Sequence, residues 1–190
     1  MEYVRCAACG RVAIDPADAW GDEVCSSCGA PLAGATSARV PSRTGPGGNL
    51  AVLVRLARDL VDTDVAMVTE VSDGRELVRE AAGLWPPLKS LRGSSLPLED
   101  TFCQRLLEGR IGNLVSDVQS DERVRDLAMA RQLQVGAYLG VPMRTEDARL
   151  YVLCCLAREA RPDLDQGDVN TLMGLCESML IELRSGSRER

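Results

Sequence analysis

The sequence predicts an α+β protein, with a central antiparallel sheet flanked by helices and a small metal-stapled module ahead of it. Three observations carry that expectation. Two pairs of apolar or β-branched runs are each joined by a short polar turn, as in hairpins. Helical periodicity precedes the first pair and follows the last. Near the N-terminus, Cys6-Ala7-Ala8-Cys9-Gly10 and Cys25-Ser26-Ser27-Cys28-Gly29 repeat one unit, with fifteen residues between Cys9 and Cys25.

At 190 residues, 45% of them hydrophobic, the chain has room and apolar content for one medium domain plus an appendage. Aromatics are scarce and Phe102 is the only phenylalanine, so aliphatic side chains must fill the core. The net charge of −6 speaks against a nucleic-acid footprint. Histidine is absent, which removes Ser-His-Asp and Cys-His nucleophiles, histidine-ligated haem and His metal sites. The first eleven residues are polar and no run reaches the roughly 18 apolar residues of a membrane span. A cytoplasmic protein with no membrane partner is the expectation.

Each Cys-x-x-Cys pair can place two thiolates on one ion, and two pairs complete a tetrahedral shell. The pattern resembles a zinc ribbon over residues 1–33, with Cys6, Cys9, Cys25 and Cys28 holding a structural Zn²⁺. Two disulfides fit a cytosolic chain poorly, and a redox dithiol lacks its βαβ setting. Asp15, Asp18, Asp22 and Glu23 lie between the pairs against Arg11 alone, which disfavours phosphate contact. Trp20 in the same stretch is either a protein-binding anchor or a lid on the metal site. Residues 34–48, with Gly45-Pro46-Gly47-Gly48, read as a flexible linker.

Leu50, Leu53, Val54, Ala57, Leu60 and Val61 then repeat at helical spacing, with Asn49 as the expected cap. Strands are expected over Asp64–Val71 and Glu76–Ala81 around Asp73-Gly74. Gly83–Ser95 fits no regular element. A short helix runs from Pro97 to about Glu108 and Gly109 ends it. A strand over Ile111–Ser116 and a polar, lid-like helix over Asp121–Gln134 follow. The second hairpin pairs Gly136–Met143 with Leu150–Ala157, whose two faces are both apolar, as in a central strand. The last helix, Asp165–Leu183, is apolar around more than one face, which asks for a second packing partner. Residues 185–190 read as a disordered tail.

Four phrases, in this order, carry a family resemblance. They are Ser95-Leu96-Pro97-Leu98-Glu99-Asp100-Thr101-Phe102-Cys103, Asn113-Leu114-Val115-Ser116-Asp117, Tyr138-Leu139-Gly140-Val141-Pro142-Met143 and Tyr151-Val152-Leu153-Cys154-Cys155-Leu156. Together they resemble the GAF family of small-molecule sensor domains over residues 49–184. The resemblance implies a PAS-related fold, no enzymatic activity, and a homodimer through the first and last GAF helices. It implies a pocket between sheet and cover lined by Trp85, Phe102, Cys103, Asp117, Tyr138 and Cys154. Asp117 and Tyr138 are its expected polar contacts, although Asp117 could instead satisfy a turn and Tyr138 could be sheet filler. Trp85 could equally plug the core beneath its loop. The patterns of the cyclic-nucleotide and bilin-binding members are missing, as are those of the free methionine sulfoxide reductases. Cys154 and Cys155 point to opposite faces of one strand, and buried cysteine is more often packing than chemistry.

The functional expectation is a cytosolic signalling protein that senses an unidentified small molecule and signals to a protein partner through its dimer or ribbon contacts. The alternatives are a ligand-free GAF adaptor used for dimerisation, and a zinc-ribbon transcription regulator, which the acidic charge disfavours.

Overall fold

The structure, a computed structural model, describes residues 2–5, 12–14, 36–39, 48–83 and 92–185. The chain divides into two units, Met1–Thr44 and Gly45–Arg190. In the first, β1 (Glu2–Arg5) pairs antiparallel with both β2 (Val12–Ile14) and β3 (Thr36–Arg39). β3 lies within the stretch expected as linker.

The expected zinc-ribbon fold requires correction. Cys6, Cys9, Cys25 and Cys28 lie outside the described residues. Among the described residues, the group that brings metal-ligating atoms together is Glu76, Cys103 and Cys154, in the other unit. Cys-x-x-Cys spacing makes a shared ion geometrically possible, but only the fold decides which donors converge. The second unit has the α+β fold.

That unit runs α1 (Gly48–Leu60), β4 (Val65–Ser72), β5 (Arg75–Gly83), β6 (Ser95–Pro97), a 3₁₀ turn (Leu98–Asp100), α2 (Phe102–Leu107), β7 (Leu114–Val115), α3 (Ala128–Leu133), β8 (Ala137–Arg144), β9 (Leu150–Ala157) and α4 (Gln166–Ser185). The strands form a six-stranded sheet in the order β6-β5-β4-β9-β8-β7, with every described pairing antiparallel. β9 is central, and all its residues but Leu150 are buried. Its all-round apolar sequence follows from having a layer on each side.

Asp73 and Gly74 both have positive φ, 52° and 69°. That is the backbone a two-residue hairpin loop needs to match strand twist. The β8–β9 turn has no glycine, and Ala148 takes the left-handed position at φ 64°. Thr145 closes this turn by exchanging backbone hydrogen bonds with Ala148 and Arg149.

One face of the sheet carries α1 and α4. Val54, Ala57, Leu172, Leu175 and Met179 have no exposed surface there. Asn49, the expected cap, sits inside the first turn of α1 and donates to Glu182 Oε1 on α4 at 3.0 Å. Most of the apolar surplus of α4 is consumed inside the unit, because the helix packs on α1 as well as on the sheet. Met173 and Ile181 stay about half exposed, at 45% and 50%.

The opposite face is covered by shorter pieces. The lid-like helix expected over Asp121–Gln134 is a series of turns followed by six-residue α3. Val124, Leu127 and Ala130 are buried beneath it. Gly83–Ser95 is partly a strand: Ser95 opens β6, which pairs with β5 at the sheet edge.

Candidate functional site

Thr101 sets the geometry of the cover. Its hydroxyl donates to Leu98 O at 2.9 Å and accepts from Gln104 N at 3.4 Å, capping α2. With the start of α2 fixed, Phe102, Cys103 and Leu106 turn inward and are buried. Alternation along β5 places Glu76 and Val78 on the face beneath the cover, and the bulge opposite Val68 and Thr69 turns Glu80 away from it. In β8, Tyr138 stands on the same side as Cys154 of β9, and Gly140 is paired with Cys154.

Four of the six expected site residues meet there. Phe102 and Tyr138 stack with ring centroids 4.9 Å apart and planes 17° from parallel. Cys103 Sγ lies 3.1 Å from Cys154 Sγ and 3.7 Å from Tyr138 Oη. The Cys103 thiol donates to Glu76 Oε1 at 3.2 Å. Gly140 makes room for this arrangement, since a Cβ there would lie 2.1 Å from Tyr138 Oη and 2.8 Å from Leu106 Cδ2.

Glu76 was not anticipated from the sequence. It is 2% exposed and its Oε2 has no hydrogen-bond partner. The signal was available: alternation puts Glu76 on the face of Val78, which an apolar core must claim. Glu80 solves its burial differently, accepting from Ala81 N and pairing with Arg92 at 3.4 Å.

The electrostatics follow from convergence. The hydrogen bond with Cys154, burial and the nearby carboxylate together push the Cys103 thiol well above its ordinary range. Burial first, then the two thiols, raises the Tyr138 hydroxyl in the same way. On the helical face, burial raises Cys155, and it pushes Cys176 up to about 12. Thiols held protonated in this way are poor nucleophiles at neutral pH.

Asp117 lies apart from this cluster. Its carboxylate accepts from Gln119 N, Ser120 N and the Ser120 hydroxyl, at 3.1, 3.2 and 2.7 Å. It closes a turn at the rim of an open depression of about 530 Å³ that also includes Ser116, Asp121 and Arg123. Those hydrogen bonds, led by the Ser120 hydroxyl, lower its pKa. A depressed folded-state carboxylate stabilises above its unfolded pKa, and the contribution disappears as pH falls through the folded value. Asp117→Asn is therefore expected to lower the melting temperature at pH 7, with the deficit closing below about pH 4. An equal deficit in thermal melts at both ends of that range would contradict the assignment. Trp85 lies outside the described residues.

A family model described as GAF domain matches residues 49–183, the span that builds this sheet and both of its layers. The chain belongs to the GAF family. A search of the curated proteins returns no match. Among solved structures, the blue-light absorbing form of the Thermosynechococcus elongatus PixJ GAF domain is 20% identical, with a TM-score of 0.58 over 71% of this chain and 83% of that one. The GAF domain of an Acinetobacter phosphoenolpyruvate-protein phosphotransferase is 18% identical, with a TM-score of 0.61 over 78% and 88%. A free methionine-R-sulfoxide reductase from Neisseria meningitidis is 15% identical, with a TM-score of 0.58 over 80% and 85%. At these identities each likeness shows the fold alone, so the reductase's chemistry does not come with it.

GAF domains are typically non-catalytic signalling and regulatory modules, and this chain carries one. No described helix is long and apolar enough to cross a membrane. The structural Zn²⁺ expected at Cys6, Cys9, Cys25 and Cys28 is corrected by the same geometry. The converging donors among the described residues are two thiols and one carboxylate, and they lie inside the GAF unit.

Proposed function

We propose that the GAF unit senses a small molecule on the cover side of its sheet and passes the bound state to a protein partner through a homodimer built on α1 and α4. The observation that carries this reading is the asymmetry of the two layers. One face is clamped by two long helices, of 13 and 20 residues. The other is closed by two six-residue helices and turns over a buried polar cluster. Short elements with few backbone hydrogen bonds open at low free energy, so the cover is where a ligand enters. Met173 and Ile181 on α4 supply exposed apolar surface for a second subunit.

A specific observation favours the second reading, a ligand-free adaptor. The stacked Phe102 and Tyr138, 1% and 0% exposed, already fill the space beneath the cover. A thermal-shift screen of the full chain against small metabolites and cofactors separates the two. The sensor reading expects a compound that raises the melting temperature in proportion to the logarithm of its concentration, with a smaller shift in Tyr138→Phe. A dimer by sedimentation that no compound stabilises would establish the adaptor reading instead.

A further inference from the structure

We propose that Cys103, Cys154 and Glu76 form a binding site for a borderline divalent transition-metal ion beneath α2. This deepens the sensor reading and rests on it for the consequence of binding, because it names the chemical class of what the cover encloses. One sulfur comes from α2, one from β9 and the carboxylate from β5, and their ligand atoms all lie within 4.8 Å of one another. The three residues are 2%, 3% and 2% exposed. They are separated by 27 and 51 residues in the chain, so the tertiary fold alone assembles them.

The second observation is the unpartnered carboxylate oxygen. A buried carboxylate is costly unless each oxygen meets a donor or a cation. Glu80, four residues along the same strand, has both. Glu76 has one thiol donor on Oε1 and nothing on Oε2. Two thiols and the acid satisfy one another only in part, since the donors available are the two S–H groups. An ion between them would meet both sulfurs and the free oxygen together.

Donor chemistry selects the ion. Oxygen-only sets suit Mg²⁺ and Ca²⁺ and all-sulfur sets suit Cu(I), whereas a mixed pair of thiolates with a carboxylate suits borderline divalent ions. Sulfurs about 2.3 Å from a tetrahedral ion stand about 3.8 Å apart. The sulfurs here are 3.1 Å apart, so loading needs each to move by a few tenths of an ångström. Each thiol releases its proton to solvent as it binds. Three protein donors leave a coordination position open, which suits an exchangeable ion, and Tyr138 Oη stands beside Cys103 to donate to its thiolate.

The test titrates the reduced full chain with Co²⁺ and follows thiolate-to-cobalt absorption. Because Cys6, Cys9, Cys25 and Cys28 remain present, the signal is read as a difference between variants. The expected result is one equivalent of cobalt lost in both Cys103→Ser and Cys154→Ser. Affinity should fall at least about tenfold in Glu76→Gln, and Cys155→Ser, on the other face of β9, should be unchanged. Circular dichroism and melting curves check that each variant folds. Independently of any variant, ¹¹³Cd NMR of the wild type should show a resonance in the range of mixed sulfur–oxygen sites. Equal cobalt uptake in Cys103→Ser, Cys154→Ser and wild type would overturn the proposal, as would a cadmium spectrum with only four-sulfur resonances or none. If the metal arm fails while an organic compound still raises the melting temperature, the sensor reading stands without the metal. If both arms fail, the sensor reading falls too.

Discussion

Replacing Phe102 by alanine is expected to lower the unfolding free energy of the GAF unit by about 3–5 kcal/mol, the range for truncating a buried large aromatic. Phe102 is the only phenylalanine in the chain, is 1% exposed and stacks on Tyr138. Its removal strips one side of the Tyr138 ring and leaves a cavity between α2 and the sheet. α2 is six residues long, so it has little intrinsic stability to hold it in place without that anchor. The loss should appear as a shifted midpoint in urea denaturation with a nearly unchanged slope. Phe102→Leu, which keeps much of the volume, should lose less. A loss below about 1 kcal/mol for the alanine variant, the range of ordinary substitutions, would show that the cover collapses around the gap and that the stack is not its anchor.

Gly136→Ala is expected to cost about 3 kcal/mol or more, the upper end for overpacking, because nothing near it can yield. A Cβ at this position would lie 2.2 Å from Glu159 C, 2.4 Å from Arg158 O and 2.6 Å from Ala160 N. All three are main-chain atoms, and the segment carrying them is tied down at both ends. Arg158 N donates to Asp64 Oδ2 at 2.9 Å and Arg161 N to Ser116 O at 2.7 Å. Gly136 itself joins the ladder, donating to Ala157 O and accepting from Val118 N, both at 2.8 Å. Making room for one methyl therefore breaks hydrogen bonds at the start of β8, two residues before Tyr138. Chemical denaturation reads the loss, and a variant within about 0.5 kcal/mol of wild type would mean that the 158–160 segment shifts freely.

Much of the GAF unit was legible because its signals are local. The period-2 runs, Asp73-Gly74 and the helical stripe starting at Leu50 each report on a few neighbouring residues. The weak points were short or edge elements. β6 has three residues and β7 two, too few for any period to register. The Asp121–Gln134 run reads as one helix by composition, but Val124, Leu127 and Ala130 are held by tertiary burial in a chain that is helical only from Ala128.

The candidate site divides along the same line. Placing Phe102, Cys103, Tyr138 and Cys154 in one layer needed only the family order of four phrases and the alternation of two strands. Asp117, in one of those phrases, has its geometry set by Gln119 and Ser120, so its hydrogen bonds close a local turn. The four N-terminal cysteines show the opposite hazard. Their spacing is a strong local pattern, yet the metal-ligand geometry in the described residues lies elsewhere.

By itself, the sequence determined the family, the order of the long strands and helices of the GAF unit, and the burial of β9 on both sides, since each rests on periodicity or on motifs read in order. Tertiary structure alone decided that Glu76 joins Cys103 and Cys154, and that the carboxylate keeps one oxygen without a partner. Those residues lie on a strand, a helix and a second strand, and no local rule relates them. Their meeting depends on the sheet order β5-β4-β9 and on where Thr101 starts α2.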